Sequence, residues 1–240
     1  MRRWARFTGT VLIALGVLTL LWALVVWQWQ DPFTALYTTW RQHQLTSQYD
    51  KRVRAFHAPI ARDSVAAERR SVAREARHYR LGSRRGEAIG RIKVPRMGVS
   101  MILVNGTDHA SLKKGPGRDL RTYMPGEGQL IYIAGHRTTY LAPFAHIDKL
   151  RRGDWVTLEV PYATFKYRIS RHVIVSSDDL GVLKSHGREV VALQACHPRF
   201  FASHRYIAYG RLARVEPRGG RWLAAPASTL AAAPLAAAQG

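Results

Sequence analysis

One stretch near the start of the chain limits every later choice. From Phe7 to Trp27 there are 21 residues without a charge. A helix of that length, at ~1.5 Å rise per residue, roughly matches the ~30 Å hydrocarbon core of a bilayer. The run is apolar on every face, unlike the one-sided helix of a soluble domain. Arg2, Arg3 and Arg6 precede it, and Asp31 and Pro32 follow it. Positive charge on the short N-terminal side favours keeping that side in the cytoplasm, so the rest of the chain is expected to face outward. Trp27 and Trp29, beyond Trp22, suit the lipid–water interface. A cleaved signal peptide would end in small residues of the A-x-A kind. This run ends in the bulky "VVWQWQDP", so an uncleaved single-pass anchor in membrane lipid is expected.

The chain of 240 residues carries 37 Lys and Arg against 16 Asp and Glu, a net charge of +21. Such basicity suits nucleic acid, or an anionic membrane or wall surface. An outward-facing domain rarely meets chromosomal DNA, so no nucleic-acid partner is expected. The single cysteine excludes a disulfide within the chain and a Cys-rich zinc site. No carboxylate cluster for calcium is evident, and neither a metal nor a cofactor is expected.

Four segments follow the anchor logic. Residues 1–30 form a cytoplasmic stub and transmembrane helix. Residues 31–87 form a basic spacer, partly helical or disordered. Its portion from Lys51 to Arg85 holds 11 Lys or Arg and 3 Asp or Glu, a local charge of +8. Its sparse apolar residues show no sustained face, so little burial is expected. The "DPF" at Asp31–Phe33 reads as a turn leaving the bilayer. Residues 88–215 break into short alternating or β-branched runs, among them "VSMILVNG", "QLIYIAG", "DWVTLEV" and "EVVALQAC", separated by Gly, Pro and Asp. These predict a closed or sandwiched all-β domain. Brief helical turns fit near Asp108–Lys114 and Pro143–Leu150, with Thr107 or Asp108 as a cap for the first. Residues 216–240 are rich in Ala and Pro and read as a disordered tail.

Three side chains at strand ends suggest chemistry. Cys196 ends "EVVALQAC"; alternation puts Val191, Leu193 and Ala195 on one face and Val190, Ala192, Gln194 and Cys196 on the other. His136 follows the strand "QLIYIAG". Arg205 opens the strand "RYIAYGRL", and an antiparallel return would bring it beside Cys196. Each alone has a plain explanation: a buried thiol, a solvated histidine, a surface arginine. Together they describe more. Imidazole can support a thiolate nucleophile near neutral pH. A guanidinium, which keeps its proton, can donate to a carbonyl oxygen as it gains charge. The trio fits a thiol acyltransferase or peptidase. His197 and His204 are weaker candidates for the acid–base group, because adjacent side chains at a strand end diverge.

The ordered set "VPRMG", "GHR" after a strand, "FAHIDKLRRGD", "LQACHP" and an Arg nine residues past the cysteine resembles the sortase family. The resemblance covers nearly all of residues 88–215. It implies an eight-stranded β-barrel and a cysteine transpeptidase. Such an enzyme cleaves a C-terminal sorting signal between Thr and Gly through a thioacyl intermediate. It then passes the acyl group to an amine, usually on a peptidoglycan precursor. By position, Cys196 matches the nucleophile, His136 the proton donor to the leaving amine, and Arg205 the residue holding substrate and oxyanion. The "GHRTTYLAPF" and "CHP" pieces look most like class E, the housekeeping type of high-GC actinobacteria. That class tends to prefer Leu-Ala-x-Thr-Gly over Leu-Pro-x-Thr-Gly, and Tyr140 matches a tyrosine implicated in the preference. Ala195 stands where the family often has Thr, as a second substrate-binding position, and brings no hydroxyl. The implied partners are secreted proteins with a C-terminal sorting signal and a cell-wall amine. Two other readings stay open on the residues: a sortase-like hydrolase that uses water, and a non-catalytic basic module binding wall or lipid.

Overall fold

The computed structural model describes residues 2–29, 32–57, 60, 63–220 and 223–224. Helix α1 spans Arg2–Trp29. Within it, Arg2–Val25 is the one stretch among the described residues long and apolar enough to cross a membrane, and none of its apolar window is buried by the rest of the chain. The side chains of Trp27 and Trp29, which the sequence assigns to the lipid interface, lie outside the described residues. Helices α2 (Pro32–Ala55) and α3 (Val65–Gly82) follow. Pro32 and Phe33 open α2, so the "DPF" segment leads directly into a helix; Asp31 lies outside the described residues.

The strands are β1 (Ala88–Val94), β2 (Val99–Asn105), β3 (Gly117–Arg118), β4 (Leu130–Ala134), β5 (Trp155–Val160), β6 (Ala163–Ser176), β7 (Val190–His197), β8 (His204–Pro217) and β9 (Leu223–Ala224). Their order is β6-β5-β1-β2-β3-β4-β7-β8-β9, and a further β6–β8 ladder closes the first eight into a barrel. Closure leaves no free edge in the ring. The short β9 adds to β8 at Arg214 and Val215, beyond the reach of β7. The all-β domain that the strand pattern predicts is thus closed, and its eight strands are the number that the resemblance implies. Helix α4 (His109–Leu112) is capped by Asp108, whose side chain accepts from the Ser111 N–H; a 3₁₀ turn occupies Ile147–Lys149.

Alternation along β7 splits its side chains between two cores. Val191, Leu193 and Ala195 join Ile131, Ile133, Phe165 and Tyr167 inside the barrel. Ala192 packs outside with Leu130, Tyr132, Ile207 and Tyr209, under Val182 and Leu183 of the β6–β7 connection.

The region 31–87 differs most from its sequence expectation. It forms two helices that dock on the barrel. On α2 the inward stripe is Thr38, Gln42, Leu45 and Tyr49, at helical spacing. Leu45 and Tyr49 pack on Ala88, Ile102 and Val104. Each such burial contributes about 1.5–3 kcal/mol over leaving the side chain in water. Thr38 Oγ1 donates to the Lys113 carbonyl at 2.9 Å, and Gln42 clasps the Ile102 backbone, accepting from its N–H at 2.7 Å and donating to its carbonyl at 3.1 Å. Half of this stripe is polar, so an apolar pattern alone does not reveal it. On α3, Ser64 caps the N-terminus, and Val72 and Ala76 enter the main core. At the other end of the chain, residues 216–217 complete β8 and 223–224 form β9, while 225–240 of the expected tail lie outside the described residues.

Candidate active site

Strands β4 and β7 run parallel, with Leu130 beside Val190 through to Ala134 beside Gln194. The Gly135 N–H extends the ladder by one bond, donating to the Gln194 carbonyl at 3.0 Å. Continuing that register two residues past Ala134 and Gln194 brings His136 level with Cys196. Gly135 is required there for space: a Cβ on it would lie 2.7 Å from a ring carbon of Phe144. The Phe144 N–H in turn donates to the His136 carbonyl at 3.0 Å, closing the loop that carries the histidine.

Strand β8 supplies the third group. Its antiparallel register sets Arg205 directly opposite Cys196. Directly paired residues share a face and hold their Cβ atoms about 4.5–5.5 Å apart. Cys196 is a free thiol, partly accessible, on the outer face of the barrel wall. The Arg205 guanidinium is steadied through Nη1, which donates to the carbonyls of Ala202 at 2.7 Å and His204 at 3.0 Å. Its Nε and Nη2 make no hydrogen bond to a described residue, which leaves three N–H donors on two nitrogens for a ligand oxygen.

His136 is mostly buried. Its Nε2 is buried and has no hydrogen-bond partner among the described residues. A buried polar nitrogen left open in this way costs free energy unless a ligand or solvent meets it. Burial lowers the imidazole pKa below its ordinary 6.5, and the nearby charges of His109 and Lys113 lower it further. The resting ring is thus neutral at pH 7, able to take and return one proton.

The Tyr140 ring lies 5.0 Å from the His136 ring, tilted by 38°. Tyr140 sits in a run of three left-handed residues, with φ of 53° at Tyr140, 62° at Leu141 and 37° at Ala142. None is glycine, so each stores on the order of 1–3 kcal/mol of backbone strain. The strain is held from outside by the first turns of α2. The Tyr140 N–H donates to Thr34 Oγ1 at 3.1 Å, and the Tyr37 ring meets the Tyr140 ring edge-on at 6.5 Å. Sequence reasoning did not find Thr34 or Tyr37, because both act on a residue far along the chain, the Thr34–Tyr140 bond spanning 106 residues.

Arg137 was also missed, although it stands inside the "GHR" motif. It is 7 % exposed. Its Nη1 donates to the Cys196 carbonyl at 3.2 Å and to His197 Nδ1 at 3.0 Å, and its Nη2 pairs with Asp148 at 3.1 Å. One guanidinium thereby ties the histidine loop to the strand end bearing the thiol. Since arginine can only donate, His197 Nδ1 must present its lone pair. His197 is committed to that bond, and His204 sits exposed with Nδ1 2.9 Å from Ser203 Oγ. The side chain of Ala195, in contrast, is fully buried in the barrel core. Any contact of Ala195 with a substrate would run through its backbone. Among the described residues no group of three or more His, Cys, Asp or Glu is placed to hold a metal ion.

Thiol, unpaired imidazole nitrogen and open guanidinium thus come from three neighbouring strand ends at one end of the barrel. That set can attack a carbonyl, hold the resulting oxyanion and protonate a leaving amine.

Comparison with known proteins gives the family and the fold. The sortase-domain family model matches residues 92–213. Sortase D of Bacillus subtilis is 34% identical over 130 residues, covering 52% of this chain and 64% of that protein. Sortase SrtE1 of Streptomyces coelicolor is 32% identical over 110 residues, covering 41% of this chain and 31% of that protein. The chain therefore spans less than two thirds of the length of either. The solved structure of the Clostridium perfringens Sortase D5 transpeptidase superposes with a TM-score of 0.58 at 22% identity, covering 72% of this chain and 98% of the other, a likeness of fold.

Proposed function

This chain belongs to the sortase family, and on that premise we propose that it is a membrane-anchored cysteine transpeptidase acting on the C-terminal sorting signals of secreted proteins. The observation that supports the reading is that Cys196, His136 and Arg205 stand on neighbouring strand ends, through the β4–β7 and β7–β8 registers.

In this reading the Cys196 thiol first passes its proton to the neutral His136 ring, and the sulfur, now a thiolate beside an imidazolium, attacks the carbonyl carbon of the threonine in a Thr–Gly bond. The carbonyl oxygen becomes an oxyanion within reach of the free Arg205 donors. The C–N bond then breaks, and the glycine nitrogen leaves as an amine after taking a proton from His136 Nε2. A thioester to Cys196 remains. An acceptor amine attacks it, gives its proton to His136, and leaves with the acyl group, while sulfur regains its electron pair. Thiolate and imidazolium are consumed and restored together, so the cycle closes without another reagent. The low basicity of the buried His136 eases proton release to the leaving nitrogen.

Tyr140 would line the groove beside the histidine, which supports a class E preference for Leu-Ala-x-Thr-Gly. Ala195 receives no side-chain role. Helix α1 would anchor the enzyme with its N-terminus in the cytoplasm and the barrel outside, supported by Arg2, Arg3 and Arg6 before the apolar run. The acceptor would be an amine on a cell-wall precursor.

The test is product analysis with Leu-Ala-x-Thr-Gly and Leu-Pro-x-Thr-Gly peptides, with and without an added amine. Joined product in the presence of amine supports the reading, and Cys196→Ala should abolish it. Only acid product in both conditions would make the protein a hydrolase. Unchanged turnover by Cys196→Ala would remove the mechanism.

A further inference from the structure

The catalytic end of the barrel carries an apolar surface that the chemistry does not use. Because β4 and β7 are parallel, the loops that follow them leave the barrel at the same end. The loop after β4 exposes Leu141, and the loop after β7 exposes Phe200 and Phe201, the last at 82 %. The first turns of α2 reach this end too, as the Thr34–Tyr140 hydrogen bond requires. There α2 exposes Phe33, Leu36 and Trp40, spaced three and four residues apart on one helical face. Clustered exposed aromatics and leucine around a site mark an interaction surface rather than ordinary scatter.

The course of the chain says what covers it. Helix α2 begins three residues after α1 ends. Its Phe33 ring lies 5.6 Å from the ring of Trp22, a residue inside the apolar run of α1. The first turn of α2 therefore lies alongside the outer part of the membrane helix, at the depth of the interface where tryptophan and phenylalanine settle. Cations stand on the same side: Arg41 lies 5.4 Å over the Trp40 ring and Lys113 lies 5.8 Å over the Tyr140 ring. Aromatic and cationic side chains together suit an anionic lipid surface.

We infer that the catalytic end of the barrel rests on the bilayer that α1 enters, with Phe33, Leu36 and Trp40 of α2, Leu141, and Phe200 and Phe201 seated among the lipid headgroups around the active site. The inference rests on the proposal that α1 spans the membrane. It deepens the proposed function: the site would receive a cleavage sequence at the membrane surface, where a substrate still held by the bilayer presents it.

The experiment uses the full chain in nanodiscs of zwitterionic and anionic phospholipid. In a Cys196→Ala background, single thiols at Leu15→Cys, Leu36→Cys, Phe201→Cys and Arg188→Cys carry an environment-sensitive fluorophore. Arg188 precedes β7 and marks the opposite end of the barrel. Quenching by spin-labelled lipid and by aqueous iodide reads the depth of each. The expected result is deep lipid quenching at 15, headgroup-level lipid quenching with blue-shifted emission at 36 and 201, and full iodide access at 188. If 15 is in lipid but 36 and 201 are as open to iodide as 188, the seating is wrong and the anchor stands. If 15 is itself in water, the anchor reading and the seating fall together. Crosslinked dimers through 36 or 201 would assign the patch to a second copy and overturn the inference. A second readout uses Leu36→Asp with Cys196 intact. It should lose about tenfold in rate toward a lipid-anchored peptide, as expected for taking an interfacial apolar group out of the membrane. Toward the same peptide free in solution it should retain its rate. Equal rates on the anchored peptide in both forms of the enzyme would refute the seating.

Discussion

Arg137→Met tests how the site is held together. The substitution keeps an unbranched apolar stem and removes the guanidinium. Two part-buried bonds disappear, to the Cys196 carbonyl at 3.2 Å and to His197 Nδ1 at 3.0 Å. Hydrogen bonds from a charged donor contribute about 1.5–3 kcal/mol each, and acceptors left unpaired add to the loss. The Asp148 contact adds little, because that carboxylate side chain is 51% exposed and an exposed ion pair is worth about 0–1 kcal/mol. The expected destabilisation is about 2–4 kcal/mol. Turnover should fall further than stability explains. Arg137 fixes the spacing between the loop of His136 and the strand end of Cys196, and a misplacement of about 1 Å costs on the order of a hundredfold in rate. Urea unfolding of the full chain in detergent, followed by tryptophan fluorescence, gives the first quantity. Single-turnover acylation at a urea-free, fully folded concentration gives the second. Asp148→Asn is the control and should change stability by less than about 1 kcal/mol. If Arg137→Met unfolds within about 0.5 kcal/mol of the parent and acylates at the parent rate, the tie between the two strand ends does not matter, and the reasoning fails.

Further outcomes follow from other contacts. Tyr37→Ala removes the edge contact to Tyr140 and should rehydrate His136, moving its pKa upward toward 6.5; an NMR titration of the His136 ring reads this, and an unchanged midpoint would deny the α2 contact any role in positioning the ring. Gly135→Ala places a methyl 2.7 Å from the Phe144 ring, and overpacking of this kind costs about 1–3 kcal/mol; a thermal midpoint equal to the parent would show that Phe144 can move aside freely. Gln42→Leu leaves the Ile102 N–H without its acceptor and should cost about 1–3 kcal/mol, with faster hydrogen exchange at that amide as the specific readout. Burial lowers the pKa of both His136 and His172 below 6.5. The unfolded state then binds more protons than the folded state below that pH, so this share of stability is present above pH 6.5 and is lost as pH falls through the depressed folded values. Urea midpoints that stay constant from pH 7.5 to about 5 in the parent, with no change on His172→Phe, would contradict the sign.

The barrel was legible because its strands obey a period of two and its turns carry Gly, Pro and Asp. The division of β7 into Val191, Leu193 and Ala195 inside and Ala192 with Cys196 outside follows from that period alone. The meeting of His136, Cys196 and Arg205 was legible only in part. Each sits at a strand end, but their adjacency depends on β4 lying parallel to β7, a pairing across 60 residues that no local pattern encodes. Helices α2 and α3 were underread for a different reason. The inward stripe of α2 uses Thr38 and Gln42 as backbone ligands beside Leu45 and Tyr49, that of α3 sets Ser71 beside Val72 and Ala76, and a buried polar residue looks, in sequence, like one facing solvent. Arg137 escaped notice among the chain's many cations for the same reason: burial and partner, not residue type, distinguish a positioning arginine from a solvated one.

The most direct measurement is the intact mass of the full-length protein mixed rapidly with a Leu-Ala-x-Thr-Gly peptide in the absence of amine, followed by peptide mapping. The account predicts a transient adduct equal to the peptide through its threonine, less water, located on Cys196, sensitive to hydroxylamine, and absent in His136→Ala and Arg205→Ala. Turnover with no covalent adduct at any time, or an adduct on a residue other than Cys196, would contradict it.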